Sequence, residues 1–174
     1  MPDSPVSVLT AAEIRVAKAG LAALMKSGFA SGAALGFVAP LTQSRLAAFW
    51  SMVADEVEAE RRVVLVAGPP SSPDGTGQLI LDQADNGAHR CELAKLAVAS
   101  SSRGAGLGRL LVSAAESSAL SLGRTLVELT THADTPPVAF YMHMGYVEVG
   151  RLPRWAIAPS GDLVDNVLMV KQLA

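Results

Sequence analysis

The segment from residue 92 to residue 109 constrains the fold of this chain more than any other part of the sequence. It begins with an apolar stretch that ends at Val98, as is typical of a β-strand. Three serines follow, and then glycines at alternating positions, Gly104, Gly106 and Gly108. From Leu110 onward, apolar residues recur at the spacing of one helix face. We therefore predict a strand, a glycine-rich loop and a helix in direct succession.

A glycine-rich loop at the start of a helix is suited to binding phosphate or pyrophosphate. Glycines let the backbone approach the ligand closely, and the free amides and dipole of the first helical turn attract negative charge. The flanking arginines could add charge-assisted hydrogen bonds. The predicted binding residues are Arg103, Gly104, Ala105, Gly106, Leu107, Gly108 and Arg109. The alternative is a turn that only joins the strand to the helix, but such a turn seldom needs three alternating glycines between two arginines.

The glycine spacing separates this loop from two common nucleotide-binding motifs. Gly-x-Gly-x-Gly differs from the dinucleotide fingerprint Gly-x-Gly-x-x-Gly, and it lies past the middle of the chain instead of after a first strand. No Gly-Lys-Ser/Thr follows the glycines, which excludes the P-loop of nucleoside-triphosphate-binding proteins.

The pattern Arg103-Gly-x-Gly-x-Gly-Arg109, preceded by an apolar strand, resembles motif A of the GNAT family of N-acetyltransferases. A second segment, from Ala139-Phe140-Tyr141 to Gly145-Tyr146, resembles the Phe-Tyr…Gly-Phe/Tyr signature of the same family. The resemblance implies one α+β (mixed α/β) domain over residues 1–174, with a mixed, mostly antiparallel sheet flanked by about four helices. It also implies an enzyme that moves an acetyl group from acetyl-CoA, its co-substrate, to an amine.

The resemblance also implies roles for residues around the thioester. The loop would hold the pyrophosphate of acetyl-CoA, and Leu96, Ala97 and Val98 would lie along its pantetheine arm. Tyr141 would be the general acid that protonates the departing thiolate. Its alternative role is to order the coenzyme sulfur or to satisfy a partner in the core.

Glu92 is the first candidate for the base that accepts the proton of the amine. Strand alternation puts Glu92 on one face with Ala94, Leu96 and Val98, towards the expected acetyl group. The same alternation puts Lys95 on the opposite face, where we expect a structural or solvated role.

A longer pattern, His89-Arg-Cys-Glu92-Leu-Ala-Lys95-Leu together with Gly36-Phe37 and Phe49-Trp50, is similar to the tabtoxin-resistance acetyltransferase branch of the family. That branch implies a glutamate at the place of Glu92 and an aspartate on the next strand. Here the second position is Thr130, which can hydrogen-bond but cannot take a proton near neutral pH, and Glu128 is the candidate substitute. The implied acceptor is a small amine, with amino-acid-like toxins and antibiotics among the candidates.

The glycine-rich connection from Phe29 to Pro40 is predicted to be a flexible loop. By resemblance such a loop covers the acceptor, so Phe37 is a candidate substrate-binding residue. The alternative is that Phe37 fills the core under the loop. Two other functions stay open: a non-catalytic coenzyme-binding sensor, suggested by Thr130, and a protein N-acetyltransferase, which a covering loop disfavours.

The composition and charge of the chain limit the classes of partner that we expect for this protein. The net charge of -2 comes without a basic or acidic block, so we expect no nucleic-acid partner and no charged membrane patch. The most apolar region, residues 19–41, is broken by Lys26, several glycines and Pro40, and no signal peptide is evident at residues 1–5. A single cysteine, Cys91, excludes an intramolecular disulfide, and three scattered histidines predict no metal site. We expect a cytoplasmic protein, either a monomer or a homodimer.

The pattern of capping, apolar and turn residues predicts the order helix, helix, three strands, helix, strand, helix, two strands. The first helix is expected to be capped at Ser7 or Thr10 and to stop near Gly28, and the second to be capped at Thr42. The expected later elements are strands at 63–67 and 78–82 and one opened by His89, the motif helix up to Gly123, a strand at 124–131, a helix at 138–144, a strand at 145–150, a loop at 151–162 and a strand at 164–173.

Overall fold

The computed structural model describes residues 6–174. Their elements are β1 (Val6–Val8), α1 (Ala11–Ala30), α2 (Gln43–Glu58), β2 (Arg62–Ala67), β3 (Gly75–Leu81), β4 (Arg90–Val98), α3 (Leu107–Ser121), β5 (Leu126–His132), α4 (Pro136–His143), β6 (Val147–Ile157) and β7 (Leu163–Gln172), with single 3₁₀ turns at Asp85–Gly87 and Ser100–Ser102. The strands form one sheet in the order β1-β2-β3-β4-β5-β7-β6. Within the described residues, β4 and β5 are the one parallel pair. The predicted mixed, mostly antiparallel sheet with four helices is confirmed.

Side-chain caps fix where the first two helices begin. At α1, the Glu13 amide donates to Thr10 Oγ1 over 3.3 Å and the Thr10 amide donates to Glu13 Oε2 over 2.8 Å, which is a complete capping box. The alternative cap, Ser7, lies instead in β1. At α2, the Arg45 amide donates to Thr42 Oγ1 over 3.2 Å, as the sequence predicts.

The sheet separates two apolar cores. The helices α1 and α2 cover one face and bury Ile14, Leu21 and Trp50 against the strands. The helices α3 and α4 pack on the other face, where Leu111 and Tyr141 are buried. Among residues 6–174, no helix is both long and apolar enough to cross a bilayer. The N-terminal residues 1–5, on which the absence of a signal peptide was argued, lie outside the described part.

Several elements differ from the sequence prediction. The strand β1 was not predicted, because three residues are too few to show a periodicity. The helix α1 continues past Gly28 to Ala30, and Gly28 serves close packing there, since a Cβ at this position would lie 3.2 Å from Leu35 Cδ1. The strand β3 starts at Gly75, three residues before the predicted start at residue 78.

The prediction of a loop over residues 151–162 is wrong for its first half. Residues 151–157 extend β6, because β7 supplies their partners, from Arg151 opposite Val167 to Ile157 opposite Leu163. The register shifts between Leu152 and Ala156, and this irregularity takes up Pro153, which has no amide to donate. We predicted a loop because a proline interrupts a sequence that is otherwise suited to a strand. In the structure Pro153 lies in a β-bulge of β6.

A β-bulge interrupts β4 and changes which residues share a face. Ala94 pairs with Gln78 and Ala97 pairs with Thr76, so Gly77 alone stands opposite two residues of β4. Lys95 takes up the extra residue with a positive φ of 54°. Beyond the bulge, Leu96 and Val98 pack towards α3 with Cys91 and Leu93, while Ala97 joins the core under α1 and α2. The prediction that Glu92 shares a face with Leu96 and Val98 is therefore wrong.

Candidate active site

The sheet opens between its two parallel strands. β4 and β5 pair only at Arg90 with Leu126, Cys91 with Val127 and Glu92 with Glu128. Past these pairs β4 continues to Val98 and β5 to His132, with no further pairing between them in the described residues. The edge of β4 that faces β5 therefore has backbone donors and acceptors without strand partners, and the gap connects the two faces of the sheet.

A cavity of about 230 Å³ lies at this opening. It brings together five of the residues singled out in the sequence, namely Phe37, Glu92, Leu96, Thr130 and Tyr141. The full lining consists of residues 33–37, 92–96 and 130–132 with Pro137, Tyr141, Ala156, Ile157, Pro159 and Asn166. Of the other predicted site residues, Ala97, Val98 and the loop residues from Arg103 to Arg109 are not in this lining.

Glu92 reaches the cavity from the strand position at which β4 and β5 separate. Its side chain is half-buried, and burial raises the pKa of its carboxyl above the usual 4.5. The charge of Glu128, its partner across the parallel pair, raises this pKa further, while Lys95 and Arg62 lower it. No hydrogen bond or ion pair occupies the Glu92 carboxylate within residues 6–174. A carboxyl group in this situation is suited to exchange a proton with a ligand.

Tyr141 approaches the cavity from α4, on the other side of the opening. This helix begins with Pro136 and Pro137, two residues before the predicted start at 138, and buries Tyr141 in the core. Its ring packs edge-on between Phe140 and Tyr146, with ring centroids 5.1 Å and 5.6 Å away. Burial raises the pKa of the Tyr141 hydroxyl to about 12. The hydroxyl therefore stays protonated near neutral pH and can act as a donor.

The glycine-rich loop presents free amides at the start of α3. Gly104 and Gly106 have φ values of 80° and 82°, in the left-handed region that glycine adopts without strain. Gly106 is the N-cap of α3 and offers no side-chain cap. Within the described chain, none of the backbone amides from residue 104 to residue 109 donates a hydrogen bond to another group. An anion could therefore bind these amides.

The base of this loop is anchored and its outer side is open. Ser102 Oγ donates to Asp74 Oδ1 over 2.8 Å, and the Ala99 amide donates to the Asp74 carbonyl over 2.8 Å. A Cβ added at Gly104 or Gly106 would meet no atom within 4 Å, so space is available beside both residues. The flanking arginines 103 and 109 are exposed and free to approach a ligand there.

Lys95 is the site residue that sequence reasoning placed on the wrong side. The bulge turns its side chain into the cavity that Glu92 also lines, and Lys95 Nζ lies 5.7 Å from the centroid of the Phe37 ring. Burial lowers the pKa of Lys95, against the opposing effect of Glu92. One signal could have indicated the bulge, since Gly75 and Gly77 on the facing strand are typical of such irregularities.

The remaining polar residues near the opening divide into two groups. Thr130 and His132 line the cavity from β5, and Asn166, which the sequence did not indicate, lies opposite His132 on β7. Burial lowers the pKa of His132. Asp134, which follows β5, pairs with Arg151 over 2.6 Å at the surface.

In the described part of the chain, Cys91 does not have the environment of a reactive thiol. Cys91 is a residue of β4 whose side chain is buried in the core on the α3 side of the sheet. Burial raises the pKa of its thiol to about 11, which disfavours the thiolate. Among residues 6–174, no group of three or more His, Cys, Asp or Glu side chains is placed to hold a metal ion.

Solved structures with the same architecture cover nearly the whole chain. A ribosomal-protein-alanine N-acetyltransferase from Brucella melitensis superposes with a TM-score of 0.75 at 20% identity, over 97% of this chain and 99% of that one. A putative acetyltransferase from Salmonella typhimurium, solved with its cofactor acetyl-CoA, gives 0.77 at 17% identity over 98% and 95%. An aminoglycoside 6'-N-acetyltransferase from Enterococcus faecium gives 0.70 at 21% identity over 97% of each chain. These likenesses establish the fold.

The sequence itself matches a family model over more than half of its length. The model describes an acetyltransferase (GNAT) domain, and the match covers residues 53–148, from α2 through the glycine-rich loop to the start of β6. Both segments that carry the resemblance in the sequence, at Arg103–Arg109 and around Tyr141, lie inside this range. The chain therefore belongs to the GNAT family of acetyltransferases.

Proposed function

We propose that this acetyltransferase moves the acetyl group of acetyl-CoA to the amine of a small molecule, by direct transfer while both substrates are bound. The observation that carries the proposal is the opening between β4 and β5, where Glu92 and Tyr141 line one cavity from opposite faces of the sheet. Direct transfer needs a proton acceptor on the amine side and a proton donor on the thiol side.

The residues present fit a coenzyme with a pyrophosphate. The unbonded amides from residue 104 to residue 109 would hold the phosphates, and Arg103 and Arg109 would add charge-assisted hydrogen bonds. The unpaired edge of β4 at Leu96, Ala97 and Val98 would hold the pantetheine arm through backbone hydrogen bonds. When bound, acetyl-CoA supplies an activated acetyl group as a thioester.

Proton transfer is assigned to two side chains. Glu92 accepts the proton that the amine loses as its nitrogen forms the new bond to the acetyl carbon, because its carboxylate is open to the cavity and its pKa is raised. Tyr141 gives its hydroxyl proton to the sulfur as the carbon–sulfur bond breaks, because this hydroxyl stays protonated near neutral pH. Unpaired amides of β4 would stabilise the negative charge that develops on the acetyl oxygen.

The size of the cavity and its cover support a small acceptor. A cavity of about 230 Å³ lies below the usual range for drug-sized ligands, and residues 33–37 close one side of it. Phe37 lines the cavity and is also 8% exposed in the core beside Phe49, which supports contact with the acceptor as well as a role in packing.

The tabtoxin-resistance branch remains a prediction, and Glu128 supports a modified form of it. That branch implies an aspartate where this chain has Thr130, which lines the cavity but carries no charge. Glu128 pairs directly with Glu92 across the parallel strands and shares its face, but it does not line the cavity, so as a second carboxylate it would act through Glu92. The cytoplasmic location, the single domain over residues 1–174 and the choice between monomer and homodimer also remain predictions.

Two measurements, carried out one after the other, test the proposed function. Isothermal titration with acetyl-CoA should show binding, and absence of heat at millimolar ligand would exclude the proposed co-substrate. Release of free coenzyme thiol should then exceed the hydrolysis background for at least one amine of a broad panel. Binding without such release would favour the alternative of a non-catalytic sensor. Release that occurs only with peptides, through their N-terminal amines, would favour a protein N-acetyltransferase.

A further inference from the structure

We propose that Lys95 binds an anionic group of the acceptor, so that the substrate of this site is a small amine that also carries a carboxylate or a comparable anion. This inference rests on the proposed function and names the substrate class of the same cavity. It starts from the bulge in β4, which takes Lys95 out of the strand alternation and points it into the cavity lined by Glu92.

The Lys95 ammonium has no counter-ion in the part of the chain that the structure describes. No carboxylate oxygen lies within 4 Å of its Nζ, and no other group accepts a hydrogen bond from it. The side chain is nevertheless largely shielded from solvent, which lowers its pKa. The ammonium keeps access to the cavity, and an anion bound there would offset the partial loss of its hydration.

Two other half-buried or buried cations show the contrast. Arg62 pairs with Glu56 and donates to Gln78 Oε1 over 2.6 Å. Lys171 donates to Glu116 Oε2 over 2.8 Å. The protein itself supplies a counter-ion for Arg62 and for Lys171. In the described residues no group accepts a hydrogen bond from Lys95, so its three N–H donors are available to a ligand in the cavity.

The surroundings of Lys95 hold the ammonium in place without neutralising it. Its Nζ lies 5.7 Å from the centroid of the Phe37 ring, a cation–π distance. A Cβ at Gly36 would come within 2.8 Å of Nζ, so the ammonium lies close to the backbone of residues 33–37. The ring face of Phe37 cannot replace an anion as a hydrogen-bond acceptor.

The charges of the cavity match a substrate that carries both signs. Glu92 and Lys95 lie on the same strand and line the same cavity, with opposite charges. An amine whose nitrogen faces Glu92 would place a nearby anionic group towards Lys95. The cavity volume of about 230 Å³ suits a compact molecule of this type, such as an amino acid. We therefore expect amines with an anion to be preferred over matched neutral amines.

Matched pairs of amines test this preference. The panel contains common L-amino acids, each with its carboxamide, and 2-aminoethylphosphonate with ethanolamine. Lys95→Met should raise KM for the anionic member of a pair by about 10- to 100-fold, the loss expected for hydrogen bonds to a charged group. KM for the neutral member and for acetyl-CoA should change by less than about twofold. Lys95→Arg should restore part of the lost affinity, and Lys18→Met, a change at an exposed lysine of α1, is the matched control.

Two outcomes would overturn the inference while leaving the proposed function intact. The first is that the wild-type protein prefers the neutral member of each pair. The second is that Lys95→Met raises KM equally for both members of a pair. If no amine releases thiol, the proposed function fails, and the anion site is then tested by titrating the same pairs into coenzyme-saturated protein. In that titration anionic amines should bind to wild type and not to Lys95→Met, and absence of any such binding would overturn the inference. Thermal unfolding checks that the variants fold, which we expect because methionine and lysine experience the same positive φ.

Discussion

At the scale of single residues, Glu92 combines an open carboxylate with a raised pKa at the point where two strands separate. We expect Glu92→Gln to lower kcat by about 10²- to 10⁴-fold, because glutamine has the same shape but cannot accept a proton. Acetyl-CoA should bind to the variant as to wild type, since the coenzyme contacts proposed above do not include this side chain. Thiol release and isothermal titration measure the two effects. Glu148→Gln, at an exposed position of β6, is the control, and unchanged turnover in Glu92→Gln would assign the base elsewhere.

The pH dependence of turnover follows from the same carboxyl group. Burial raises the pKa of Glu92 above 4.5, so the carboxylate is lost by protonation at a higher pH than for an exposed glutamate. With saturating amine, kcat should therefore rise with pH along a limb displaced upward from 4.5. The charged groups acting on Glu92 are Lys95, Glu128 and Arg62, of which Lys95 lowers its pKa most. Lys95→Met should move the limb to still higher pH, and a limb that is unchanged in Glu92→Gln would exclude this assignment.

At the scale of elements, the start of α3 makes a testable unit with its glycine-rich loop. Gly106→Glu should weaken acetyl-CoA binding by at least about tenfold, because a carboxylate would stand beside the amides that are proposed to hold phosphate. The new Cβ would meet no atom within 4 Å, but the φ of 82° at this position adds about 1–2 kcal/mol of backbone strain.

Gly123→Glu separates charge from strain. Gly123 follows the other end of α3, with a φ of 72° and free space around it, so the variant carries similar strain far from the loop. Isothermal titration should show near-normal coenzyme affinity for Gly123→Glu. Equal losses of affinity in both variants would mean that strain, and not the position of the charge, weakens binding.

The elements also show what sequence reasoning could reach. Thr10 and Thr42 act through contacts with their own neighbours in the chain, so their patterns predicted the starts of α1 and α2 correctly. Lys95 and residues 151–157 depend on register with strands that are distant in sequence, and alternation within one strand cannot reveal such a bulge. The cavity residues of β4, β5 and α4 were identified by motif resemblance, whereas Asn166 and Ile157 enter the site only through tertiary pairing.

At the scale of the whole molecule, the sheet is stabilised by cores on both faces, and Trp50 is the largest fully buried side chain of the α1–α2 core. Trp50→Ala should lower the free energy of unfolding by about 3–5 kcal/mol through lost contacts and the cavity left behind. Met52→Ala, at a 41% exposed position of the same helix, should change it by less than about 0.5 kcal/mol. Denaturant unfolding measures both, and a small effect of Trp50→Ala would mean that this face contributes little to global stability.

The extra residue in β4 acts as a phase shift within an otherwise regular strand. Loss of the Lys95 codon would remove this extra residue, so Leu96 alone would stand opposite Gly77 and the bulge would disappear. Leu96 and Val98 would still point at α3 and Ala97 at α1, because the alternation from Ala94 onward would then be regular. The extra residue therefore adds one cationic side chain to the strand without changing the direction of its apolar neighbours. A chain that lacks only residue 95 should keep the fold and both cores while losing the ammonium from the cavity.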